Sequence, residues 1–118
     1  MNKKILVIDN DQGVRDIITY VLKEEGYHVS SMGPDDGILE HIISYNPHAI
    51  LLDIIRPSDR GAELCEALKA TENTKHIPVI VLSTYMKIDE YVKDFCADDV
   101  LTKPFDISEL VDIIEKQL

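Results

Sequence analysis

No apolar run in the chain approaches the length of a membrane span, and the opening Met1-Asn2-Lys3-Lys4-Ile5-Leu6-Val7-Ile8 is halted at Asp9. A membrane-spanning helix and a secretory signal peptide are therefore not expected. Cysteine is scarce: Cys65 and Cys96 lie far apart with no C-x-x-C pattern, which implies neither a disulfide framework nor a zinc site. Cys65 falls at a core position of a helix, where a buried small hydrophobe is the expected role. Basic residues are also few, 12 Lys and Arg against 22 Asp and Glu, for a formal net charge of −10. That balance argues against nucleic acid or an anionic membrane as a direct partner, and suits a cation or a basic protein surface. Repeats, linkers and low-complexity segments are missing. What remains, 118 residues with 45% hydrophobic and 29% charged, reads as one globular domain over residues 1–118 with a cytoplasmic location.

The chain is organised around Ala49-Ile50-Leu51-Leu52-Asp53-Ile54-Ile55-Arg56-Pro57. A continuous apolar run of this kind reads as a strand buried on both faces. Burying an unpaired charge is costly, so Asp53 belongs where the strand ends and water or a ligand begins. Pro57 then forbids further ladder pairing and starts a loop.

Other segments alternate regularly. Ile5-Leu6-Val7-Ile8 is the centre of a first strand, and Asp11 can cap the helix that follows. That helix carries Val14, Ile17, Ile18, Val21 and Leu22 at helical spacing and ends at Gly26. Tyr27 to Ser31 reads as an outer strand, and Asp35-Asp36 places negative charge at the start of a second helix with Ile38, Leu39, Ile42 and Ile43 on its face. Asn46-Pro47 ends that helix. After the Asp53 strand, residues 58–61 read as a loop, and a third helix turns Leu64, Cys65 and Leu68 inward. Val79-Ile80-Val81-Leu82 is a buried strand ending at Ser83-Thr84, followed by a fourth helix over roughly residues 88–96. Val100-Leu101-Thr102 is a short fifth strand, and a last helix bears Ile107, Leu110, Val111, Ile113 and Ile114, capped near Asp106 or Ser108. Five strand–helix alternations with near-continuous apolar strands predict an α/β fold, a doubly wound parallel sheet with helices on both faces.

Ligands of open sheets bind at the carboxyl ends of the strands. This chain places Asp9, Asn10 and Asp11 there after the first strand, Asp53 after the third, Ser83 and Thr84 after the fourth, and Lys103 after the fifth. Converging carboxylates repel one another unless a cation joins them, and Mg²⁺ with oxygen ligands fits. A hydroxyl and a lysine nearby suit the oxygens of an incoming phosphoryl group. A carboxylate can accept that group when its developing charge is neutralised. Taken singly, each Asp reads as a turn or capping residue, the usual fate of Asp at strand ends. Together with Ser83 and Lys103 they read as a phosphoaspartate site.

The chain resembles the receiver domains of two-component response regulators (CheY-like) over its whole length. The matching pieces are Lys4-Ile5-Leu6-Val7-Ile8-Asp9, Ile50-Leu51-Leu52-Asp53 with Pro57, Gly61, Pro78-Val79-Ile80-Val81-Leu82-Ser83, and Lys103-Pro104-Phe105. The resemblance implies a flavodoxin-like five-stranded sheet of order 2-1-3-4-5. It implies Asp53 as phosphoacceptor, Ser83 as switch hydroxyl and Lys103 as the phosphoryl-pairing lysine. The metal site would comprise Asp9, Asn10, Asp53 and the backbone carbonyl of Ile55. It implies a cis peptide between Lys103 and Pro104, a histidine kinase or phosphotransfer protein as donor, and a downstream protein as partner. No output domain is expected within the chain.

Several positions depart from the family. Asn10 stands where a second carboxylate is usual, which implies weak Mg²⁺ binding. Val100 stands where many members carry an aromatic switch, Thr84 replaces a small alanine, and Cys96 a glycine. Ile55 and Tyr85 flank the acceptor where polar residues commonly orient a hydrolytic water, which implies slow loss of the phosphoryl group. Tyr85, Tyr91 and Val100 suit either a partner surface or ordinary surface packing. Two other readings stay open: an unphosphorylated pseudo-receiver, motivated by Asn10 and Val100, and a small haloacid-dehalogenase-type phosphatase with Asp9 as nucleophile in Asp9-Asn10-Asp11. The second is opposed by Gly13, where that motif prefers threonine or valine. The receiver reading makes this a signalling module and not an enzyme.

Overall fold

Short strands buried on both faces can be covered only by helices on both faces, and that is how this chain is built. In a computed structural model, residues 3–35, 37–54, 60–84 and 96–118 are described. The elements are β1 (Lys4–Ile8), α1 (Gln12–Glu24), β2 (His28–Met32), α2 (Ile38–Tyr45), β3 (Ala49–Asp53), α3 (Arg60–Ala70), β4 (Val79–Ser83), β5 (Asp99–Thr102) and α4 (Ile107–Gln117). The strands form one sheet of order β2-β1-β3-β4-β5 with every pairing parallel, so β3 is central. The doubly wound architecture and the strand order inferred from the resemblance are both observed. The fourth helix expected over 88–96 lies, except for Cys96, outside the described residues, as do Ile55, Pro57, Tyr85 and Tyr91. No helix among the described residues is long and apolar enough to cross a membrane.

Alternation along the strands divides the core in two. Leu6, Ile8, Ile50, Leu52, Val79 and Val81 pack with Ile38 and Ile42 of α2 and Leu64, Cys65 and Leu68 of α3. Ile5, Val7, Leu51, Ile80 and Leu82 pack on the other face with Ile18 and Leu22 of α1 and Leu110 and Ile114 of α4.

Local signals set the helix ends. The Asp11 side chain accepts from the Val14 amide at 3.2 Å, so the expected cap forms. Gly26 adopts φ 94°, the left-handed conformation that a helix exit favours. Asp106 opens α4 with a capping box: its side chain accepts from the Glu109 amide at 2.8 Å, and Glu109 accepts from the Asp106 amide at 3.2 Å.

Four expectations need correction. Of the Asp35-Asp36 pair, Asp36 lies outside the described residues and Asp35 does not lie in the first turn of α2, which opens at Ile38 after Gly37 at φ 82°; Glu40 supplies first-turn charge. Gly61 is helical and buried within α3 rather than in a loop. Ile17 and Ile107, assigned to core faces, are 67% and 55% exposed. The apolar stripe is wider than the contact with the sheet, and Ile17 instead lines a recess of about 400 Å³ beside Lys103 with Val14, Ile18, Thr84, Pro104 and Phe105. Finally, Cys65 is more than a small hydrophobe, because it is disulfide-bonded to Cys96. Their Cα atoms are 5.4 Å apart despite a sequence separation of 31, because the turn leading into β5 lies against α3. In the chain-entropy view such a cross-link stabilises by roughly 3–4 kcal/mol.

Ile114 is fully buried, whereas Ile107 is not. Ile114→Ala is therefore expected to cost about 2–5 kcal/mol in urea denaturation, and Ile107→Ser to stay within about 0.5 kcal/mol.

Candidate functional site

Strand register brings the two key carboxylates to one level. Ile8 of β1 pairs with Leu52 of β3, so Asp9 and Asp53 both stand one residue beyond that pair. Both continue the alternation of Val7 and Leu51, which face α1 and α4. Asp53 pairs with Leu82 of β4, and Ser83 with Thr102 of β5, which places Ser83 and Lys103 just above. The Lys103 amide donates to the Ser83 carbonyl at 2.8 Å, tying the two ends together. The Lys103–Pro104 peptide is cis, as the resemblance implied.

The lysine joins the carboxylates. Its Nζ donates to Asp53 Oδ1 at 2.8 Å and to Asp9 Oδ2 at 3.4 Å. The Asp9 side chain is only 3% exposed, and its other oxygen accepts from the Asp11 amide at 2.8 Å. Asp11 thus caps α1 with its side chain and orients Asp9 with its backbone. Ser83 is completely buried. Asn10 is exposed at the rim, and Thr84 is exposed beside Lys103.

Burial of the Lys103 ammonium pulls its pKa down. The hydrogen bond and charge of Asp53, with those of Asp9, outweigh that effect and hold it above the ordinary lysine value. Among the described residues, Lys103 faces two carboxylates in a largely buried cleft. Carboxylate oxygens are hard donors that fit a divalent cation such as Mg²⁺. Asp9, Asp53 and the Asn10 side-chain carbonyl are the described residues that would hold it; Ile55 lies outside the described residues. No group of three His, Cys, Asp or Glu among the described residues is spaced to hold a metal. When bound, Mg²⁺ supplies charge neutralisation at phosphoryl oxygens.

An open parallel sheet with buried carboxylates, a hydroxyl and a lysine at its carboxyl edge defines an α/β protein whose site suits a cation and a phosphoryl group. The response regulator receiver domain family model matches residues 5–115, and the chain belongs to that family. It is 35% identical over 112 residues to the DNA-binding dual master transcriptional regulator RpaA of Synechocystis sp., covering 92% of this chain and 46% of that protein. It is 36% identical over 113 residues to the response regulator MprA of Mycobacterium ulcerans, covering 94% and 48%. The chain thus spans about half the length of these curated relatives. Among solved structures it is similar to the receiver domain of a sensor histidine kinase from Pseudomonas aeruginosa, determined with magnesium in the active-site cleft. That match has TM-score 0.83 and 26% identity, covering 99% of this chain and 98% of that one. Phosphoacceptor signalling is the function of this family, and neither the pseudo-receiver nor the phosphatase reading finds support in these matches.

The Cys65–Cys96 disulfide is the feature that sequence reasoning missed. The inward position of Cys65 on its helix was legible, but neither spacing nor motif marks Cys96 as its partner.

Because Lys103 holds its proton more tightly when folded, its contribution to stability is complete below about pH 10.4, the unfolded lysine value, and is lost as pH rises through the higher folded value. In urea unfolding, wild type is expected to exceed Lys103→Gln at pH 8, with the gap closing toward pH 11.

Proposed function

We propose that Asp53 is the phosphoacceptor of this receiver domain and that Asp9, Asn10, Ser83 and Lys103 complete its site. The observation that carries this reading is the contact of Lys103 Nζ with both Asp53 and Asp9, at 2.8 and 3.4 Å. A carboxylate oxygen of Asp53 attacks the phosphorus of a histidine kinase or phosphotransfer donor. The bond from phosphorus to the donor's imidazole nitrogen breaks, and its electron pair leaves with the imidazole. The product is a mixed carboxylic–phosphoric anhydride on Asp53. Lys103 then pairs with a phosphoryl oxygen in place of the Asp53 carboxylate, and the buried Ser83 hydroxyl donates to another. Asp9 and Asn10 stay on the metal side of the cleft. The apolar recess lined by Ile17 and Phe105 adjoins Lys103 and offers a protein donor a foothold beside the acceptor.

In this reading the altered surface engages a downstream protein, and residues 1–118 act as one signalling domain in the cytoplasm. The domain's own net charge of −10 opposes direct contact with nucleic acid or an anionic membrane. The chain takes up the group on its own side chain and is not an enzyme acting on a separate substrate.

Intact mass after incubation with Mg²⁺ and a small acyl phosphate should gain one phosphoryl group in wild type and none in Asp53→Asn. An unmodified wild type, even with a panel of kinases, would replace this reading with an unphosphorylated interaction module. Asn10→Asp, which restores a second carboxylate at the rim, is expected to tighten Mg²⁺ binding by roughly tenfold, read by titration calorimetry. An unchanged affinity would remove Asn10 from the metal site.

A further inference from the structure

The disulfide joins two parts of the fold that both lead to the phosphoryl site. Cys65 lies on α3, the helix after Asp53, and Cys96 precedes β5, the strand that ends at Lys103. The chain between the two cysteines includes all of β4, with Ser83 at its end. We propose that Cys65 and Cys96 form a reversible redox clasp that small-molecule thiols and disulfides open and close. Its closed form stiffens the β4–β5 unit and slows phosphoryl uptake. The clause on phosphoryl uptake rests on the receiver reading above.

Three observations support the clasp. First, the Cα atoms stand 5.4 Å apart, inside the span that disulfides bridge without backbone movement, so both redox states can share one backbone. Second, both cysteines belong to the buried apolar cluster that includes Leu64, Leu68, Ile77 and Val79, where two thiols pack as small hydrophobes once the bond opens. Third, a non-covalent strap spans the same junction. Lys69, one turn after Cys65, donates to Asp98 at 2.7 Å and to the Ile77 carbonyl at 2.8 Å. Asp98 also accepts from the Val79 amide at 2.8 Å, and its own amide donates to the Val79 carbonyl at 2.8 Å. Opening the disulfide therefore leaves the turn docked, with its movement no longer prevented by a covalent bond. In a thiol-reducing compartment, as expected for a receiver, disulfides are transient and regulatory.

The exchange balances without a further reactant. In closing, the S–S bond of a small disulfide such as oxidised glutathione breaks and the Cys65–Cys96 bond forms. The two cysteine hydrogens end on two released small thiols, and two electrons pass from the cysteine pair to the small disulfide. Both cysteines are buried, Cys96 at 5% and Cys65 at 0% exposure, so exchange with a small thiol or disulfide proceeds through local opening of the turn before β5. Stiffening opposes phosphoryl uptake because Lys103 must leave Asp53 Oδ1 for the incoming group, and the closed ring ties the base of its strand to α3.

The test is a redox titration of the whole chain in reduced and oxidised glutathione, followed by intact mass. Each end state is then assayed by amide hydrogen exchange, melting and phosphorylation with acetyl phosphate and Mg²⁺. Closing the clasp is expected to slow exchange at residues 100–102 by about tenfold and to raise the melting midpoint by roughly 10 °C. Phosphorylation should slow several-fold, and Cys65→Ser and Cys96→Ala should match the reduced wild type in either buffer. Three results would each overturn the clasp: a pair that never closes with oxidised glutathione, one that never opens at cytosol-like glutathione ratios, or equal exchange at β5 in both states. Equal phosphorylation rates would overturn the clause on uptake. If neither state takes up a phosphoryl group, the receiver reading fails and takes that clause with it, while exchange and titration still decide the clasp.

Discussion

The Lys103 ammonium, set between the carboxylates of Asp9 and Asp53, is the contact on which the site depends. Two carboxylates at the ends of neighbouring buried strands repel one another in a cleft that water scarcely enters. Lys103 offsets that repulsion by pairing with both.

The sheet makes this contact possible. Strands covered on both faces by α1 and α4 on one side and α2 and α3 on the other have no interior place for charge. Charge is therefore confined to their ends, and parallel pairing collects those ends along a single edge. Register then does the fine placement. The Ile8–Leu52 pair levels Asp9 with Asp53, and the Ser83–Thr102 pair sets Lys103 above them. The cis Lys103–Pro104 peptide lies where the chain turns from β5 toward α4.

A second junction lies on the opposite face of the sheet. The Lys69–Asp98 ion pair and the Cys65–Cys96 bond both fasten α3 to the turn before β5. One is electrostatic and the other covalent. Having both leaves the junction intact in either redox state and lets the covalent bond adjust its stiffness. The phosphoryl site and this junction share β4 and β5, one at the carboxyl ends of the strands and the other at their amino ends.

Much of this was readable in the chain before any coordinates. Apolar runs at Ile5–Ile8, Ile50–Leu52 and Val79–Leu82 can be satisfied only in a covered parallel sheet, and Asp11, Gly26 and Asp106 mark helix ends by local hydrogen bonding and backbone preference. Burial cost put Asp53 at the end of its strand; alone it reads as a turn residue, and only with Asp9, Ser83 and Lys103 does it read as a candidate site. Other features depended on distances between elements that local chemistry does not encode. Periodicity put Ile17 and Ile107 in the core, but a helix touches the sheet along a narrower band than its apolar stripe covers, and both side chains remain outside it. Spacing separated Cys65 from Cys96, while the packing of the pre-β5 turn on α3 brought their Cα atoms to 5.4 Å. Sequence alone determined which residues must sit at strand ends, since burial penalises charge anywhere else. Only the tertiary structure decided which of them meet, because contact across neighbouring strands is set by register and packing.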